Sequence, residues 1–233
     1  MKGKDFLDHP DVKKLYASVF GNIEHESDRG AVLIAQEIIS NELAAMFHSL
    51  APTSMSAKRV KELLKYPGLL ATFSARSEMA YLAGFIGQNI FDAINVIRSI
   101  RNDAAHASQS FSLEPYRPKL VEAYRELGDL GGTSMEDFLR YMAIKLYLEP
   151  FADLIVEDFA NHEYEGLRSA FKDRDEVIDH IREHHDSLEV AKSKLAKVEL
   201  GMAVILLCGL IIYSRDRILA KRLASTNCNE SPS

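Results

Sequence analysis

Between Leu200 and Ser214 the chain reads LGMAVILLCGLIIYS, fifteen residues with no charged side chain. A helix through this run has no polar face, so it needs burial on every side, which a charged preceding helix does not supply. Two readings follow. As a membrane helix it rises roughly 22 Å, short of the ~30 Å hydrocarbon core, with Lys197 and Arg215 placed to snorkel from its ends. As a soluble element it is a buried helix in an oligomer core. Lysines precede the run and Arg215, Arg217, Lys221 and Arg222 follow it, so the basic residues set no clear orientation across a membrane.

The rest of the chain is patterned for helices. Apolar residues recur at helical spacing and no stretch alternates long enough for a strand, so the expected class is all-α. In SDRGAVLIAQEIISNELAAMFHSL, Ser27 or Asp28 can cap a central helix, with Val32, Ala35, Ile38, Ile39, Leu43 and Phe47 on one face. Residues 51–56 and Pro67-Gly68 punctuate. One helix is expected over about 74–86, leading through Gly84 and Gly87 to another over about 91–106. After the break DLGGTSMED, Thr133 and Glu136 read as a capping box for a helix through FLRYMAIKLYLEPFADLIVEDFA, kinked or split near Pro150.

This organises the chain as a helical bundle over 1–162, a charged long helix or weak coiled coil over 163–199, the apolar segment 200–214, and a basic stretch with a disordered tail over 215–233. Leu167, Phe171, Ile178, Ile181, Leu188, Leu195 and Val198 make an approximate heptad seam, interrupted by Arg174, His185 and Lys192. The start MKGKDFLDHPDVKK has no apolar signal core, and two cysteines, Cys208 and Cys228, make no disulfide framework, so a reducing cytoplasm is the expected setting. A net charge of -6 argues against a broad grip on nucleic acid and against direct binding of operator DNA.

One stretch could carry chemistry. IRSIRNDAAH, residues 97–106, sets Arg101 and His106 in an R-x-x-x-x-H spacing with Asn102 directly after the arginine. A guanidinium can hold a phosphate through two parallel hydrogen bonds, and an imidazole can move a proton to or from a ribose hydroxyl or a leaving oxygen without a metal. Positions five apart lie about 140° around a helix, so the two side chains converge only if the helix ends or bends near His106, or if a second subunit contributes. The plain structural alternative puts Arg101 and Asp103 in interhelical ion pairs and His106 at a helix C-terminus, where the dipole favours a cation.

Three blocks together narrow this. DRGAVLIAQEIISNELAAMF (28–47), LLATFSARSEMAYLAGFI (69–86) and NVIRSIRNDAAHASQSFSL (95–113) resemble, in order and spacing, the mannitol operon repressor family, a branch of the helical HEPN superfamily. Ala104 departs from that pattern, where the family commonly carries a bulky apolar residue. The resemblance implies a helical bundle that dimerises, with the R-x-x-x-x-H motif lining a cleft between subunits. It implies that Arg101 would hold phosphate, Asn102 would position it and His106 would transfer the proton in metal-independent RNA cleavage leaving a cyclic phosphate. Many superfamily members bind without cutting, and fold membership does not decide activity.

Arg76, Arg98 and Asp103 are the flanking residues expected to contribute to binding, Arg76 by reaching the same cleft or else pairing with Glu37. His180, Glu183, His184 and His185 in DHIREHHD could approach zinc spacing, but the order is not that of a metalloprotease and a third ligand is missing, so a solvated face is the better reading. Gly131-Gly132 is a turn without a phosphate-loop pattern, and no cofactor or metal is expected. The expected function is regulatory, a homodimer that binds a protein or nucleic-acid partner, RNA more than operator DNA, in transcriptional or post-transcriptional repression. An endoribonuclease of toxin or phage-defence type and a membrane-tethered assembly protein are the alternatives.

Overall fold

The computed structural model describes residues 9–23, 25–108, 110–125, 127, 176 and 189–229. Every regular element among them is helical: α1 (Pro10–Ile23), α2 (Asp28–Leu50), α3 (Ala57–Leu64), α4 (Phe73–Leu82), α5 (Gln88–His106), a 3-10 turn at Glu114–Tyr116, α6 (Arg117–Arg125) and α7 (Glu189–Asn229). The protein is all-α. The segment with Thr133 and Pro150, most of the heptad seam and the histidines of DHIREHHD lie outside the described residues.

The long helix α7 organises the rest. It packs chiefly on α2 and then on α1, while α2 also receives α5 and α4. Every residue from Leu200 to Gly209 is buried, as are Ile211 and Ile212. Buried on α2 are Ala31, Val32, Ala35, Ile39, Leu43 and Met46, all with no exposed surface. The apolar run is therefore enclosed by the chain's own helices, a solution beyond the two that its composition posed. Asp28–Leu50 and the Ala196–Ser225 part of α7 are both long and apolar enough to cross a membrane, a property that core helices share.

Polar contacts tie α7 at both ends of the buried stretch. Near its start, Arg117 donates two bonds to the Glu199 carboxylate, at 2.7 and 2.6 Å, and a third to Glu114 at 2.9 Å. Lys197 donates to the Glu26 carbonyl. Toward the far end, Arg215 bonds Asp11 of α1 at 3.1 Å and Asp216 at 2.8 Å, and His9 lies 3.1 Å from Asp216. Arg222 donates to the Leu50 carbonyl, placing a cation at the C-terminus of α2. The residues read as snorkelling ends thus serve as register clasps. Beside the second clasp, burial raises the Glu42 carboxyl above its ordinary value, opposed by Arg215 and reinforced by Asp11.

The boundaries at 200 and 215 mark changes of burial within one helix. α7 continues to Asn229, through most of the tail expected to be disordered. No glycine or proline stands between Ser214 and Asn229 to stop propagation from the packed segment, even though residues 220–225 are exposed. Local signals hold elsewhere: Ser27 caps α2 by accepting from Gly30 N–H, and α4 ends at Leu82, earlier than the expected 86, because Gly84 takes φ 67° and Phe85 N–H turns back to Ala80.

Candidate functional site

Helix α5 carries the motif, and its inward face decides what remains outside. Ile97, Ile100 and Ala104 are fully buried, at positions three and four apart that place them on one side of the helix. The opposite side presents Asn102, Asp103 and His106 to solvent and leaves Arg101 half-buried. Ala104 is fully buried, a core residue beside the site.

The helix runs unbroken to His106 and is closed by Ala107, whose N–H donates to the Asp103 carbonyl. The end is held from a distance. Arg29 donates to the Ala107 carbonyl at 2.6 Å, and the Asp28 carboxylate accepts from Leu113 N–H at 2.8 Å. Two consecutive residues at the start of α2 thereby fix both ends of the segment that follows His106. The acid-arginine opening of the helix does not read as a clamp in the sequence. The signal was a charged pair at the head of an otherwise apolar helix.

The arginines divide sharply. Arg76 points inward and donates to the carbonyls of Leu70 (2.8 Å), Leu64 (2.9 Å) and Ser40 (3.1 Å) and to the Ser40 hydroxyl (2.7 Å). Burial lowers its basicity and the Glu37 carboxylate partly restores it, but the guanidinium is committed to backbone and does not join Arg101. Arg98 bonds the Ser74 hydroxyl at 2.9 Å and reaches Glu78 at 3.4 Å. Arg101 has only a 3.4 Å contact to the Asn102 side chain, and its buried Nε meets no acceptor among the described residues. No carboxylate pairs with it there, so the interhelical ion pair expected as the structural alternative is not formed among the described residues. Asp103 instead faces Tyr116, whose phenol is held above its ordinary value by burial and by that negative charge. Tyr116 in turn stacks on Phe111, with ring centroids 5.4 Å apart.

Since Arg101 and His106 share one regular helix, ideal geometry keeps their side chains about 140° apart, and one copy does not aim both at a single atom. Among the described residues, an apolar cavity of about 250 Å³ lies between α2, α3 and α4, and another of about 470 Å³ is bounded by Gln88, Asp92, Val96, Lys119, Glu122 and Ala123. Neither borders the motif. No cluster of three or more His, Cys, Asp or Glu side chains suited to a metal occurs among the described residues. No family model, curated protein or solved structure matches the chain.

Proposed function

We propose that this protein is a regulatory binding module of the mannitol-repressor-like HEPN type, in which two copies meet across the end of α5 and hold a protein or RNA partner. The observation that carries the reading is Arg101, a half-buried guanidinium with donors left over, followed by exposed Asn102 and His106 on a clamped helix end. Such a group suits a phosphate or carboxylate. Its separation from His106 around the helix favours binding over autonomous cutting, because a second copy must supply the converging partner. In this reading α7 serves the bundle core and the chain works in the cytoplasm, without spanning a membrane.

Light scattering and RNA binding on the full chain test it. We expect a dimer, with Arg101→Ala weakening partner binding about tenfold, the loss of roughly one charge-assisted hydrogen bond. A monomer at all concentrations would remove the shared groove. RNA cleavage that disappears in His106→Ala while binding persists would replace the regulatory reading with the ribonuclease one.

A further inference from the structure

The turn between α3 and α4 holds two large apolar side chains in water. Tyr66 is 91% exposed and Leu69 68%, although the adjoining Leu70 is buried. This exposure is built in. Arg76 bonds the Leu64 carbonyl before the turn and the Leu70 carbonyl after it, and ties both to Ser40 of the core helix α2. Leu70 N–H returns to the Leu63 carbonyl at 2.8 Å. Gly68 lies so close beneath them that a Cβ there would sit 2.2 Å from the Glu62 carbonyl oxygen, so the turn can fold back on α3 only with glycine. The result is a stiff wedge whose tip cannot tuck its apolar side chains away.

The wedge is also basic within an acidic molecule. Residues 57–72 carry Lys58, Arg59, Lys61 and Lys65 against the single acid Glu62, while the whole chain has net charge -6. Glu62 is engaged by Arg59 at 3.4 Å, and Lys58, Lys61 and Lys65 are exposed with no ion pair among the described residues. Tyrosine suits the headgroup level of a bilayer, leucine the acyl boundary, and lysines the anionic surface. An acidic amphipathic peptide would also answer the charge, but a peptide helix is received by a groove. Tyr66 and Leu69 project, and neither lines the apolar cavity behind them.

We propose that the α3–α4 turn docks the protein peripherally on an anionic lipid surface, with Tyr66 and Leu69 entering the headgroup region and Lys58, Lys61 and Lys65 meeting lipid phosphates. This contact is independent of the Arg101–His106 site and leaves the apolar run of α7 inside the bundle.

The chain contains no tryptophan, so Leu69→Trp places a single indole at the tip. With the full chain and vesicles of two parts phosphatidylcholine to one part phosphatidylglycerol, its emission shifts to the blue and becomes shielded from aqueous iodide. Vesicles of phosphatidylcholine alone produce neither change. In sedimentation, the wild type pellets with the mixed vesicles. The double variant Tyr66→Ser/Leu69→Ser and the triple variant Lys58→Glu/Lys61→Glu/Lys65→Glu each partition about tenfold more weakly or worse, with unchanged thermal melting. Three results overturn the proposal: no shift and no pelleting with anionic vesicles; pelleting undiminished in both variants, which would assign it to another surface; or a shift produced by an acidic amphipathic peptide and not by vesicles, which would assign the wedge to a protein partner.

Discussion

The contact of α7 with α2 and the end of α5 use similar residues to opposite ends. Along residues 200–212 of α7 the apolar side chains are covered by the chain itself, and the arginines flanking that stretch in space meet carboxylates, Arg117 with Glu199 and Arg215 with Asp11 and Asp216. At the end of α5 the isoleucines are just as buried, yet Arg101 has no carboxylate partner among the described residues and Asn102 and His106 face solvent. In the closed region the arginines are answered from within, although the buried Tyr124 hydroxyl and Glu114 Oε2 meet no partner among the described residues; at the open end the guanidinium is left without a carboxylate. Residue type alone does not separate the two, because a guanidinium is charged in both and only its neighbours differ.

The comparison can be broken most forcefully in the closed region. Leu207→Ala removes a side chain with no exposed surface and should cost about 3 kcal/mol, lowering Tm by roughly 8 °C in detergent-free buffer. An unchanged melting curve would mean that α7 is not the core. Next in size, Arg117→Ala leaves Glu199, only 15% exposed, without its two-bond partner and should cost about 2 kcal/mol, below the figure for a fully buried pair. The matched Arg101→Ala should cost under about 0.5 kcal/mol. Equal losses in urea titrations of these two variants would erase the distinction between engaged and open arginines.

An effect of similarly small size concerns Glu42. Its carboxyl is raised in the folded state, so the folded protein keeps that proton to higher pH than the unfolded chain does. The associated stability is present below the ordinary carboxylate range and is lost as pH rises through the raised value. Glu42→Gln removes that dependence and should melt about 1–2 °C higher than wild type at neutral pH, with the gain vanishing in acid. A gain that persisted in acid would assign the effect to packing.

Much of the fold was legible because its signals are local. Ser27 before an apolar helix, the glycines at 84 and 87, and the end of α5 at His106 each follow from dihedral preference and unsatisfied helix-end groups within a few residues. The candidate site was legible only as residue types. That Arg76 would be absorbed by the carbonyls of Leu64, Leu70 and Ser40 depends on a turn folding back onto a helix 36 residues away in sequence from one partner, and no spacing rule encodes that. The same holds for Asp28 and Arg29, whose partners Leu113 and Ala107 lie 85 and 78 residues downstream.

By itself, the sequence determined that this chain is helical, roughly where α2 and α5 begin and end, and that residues 200–214 must be hidden from water, since periodicity, caps and hydropathy are properties of neighbours along the chain. Only the tertiary structure decided what hides that run, which arginines are answered, and that Tyr66 and Leu69 stand out in solvent. Burial and pairing depend on which distant segments arrive at the same place, and hydrophobicity says how strongly a side chain should be covered without saying by what.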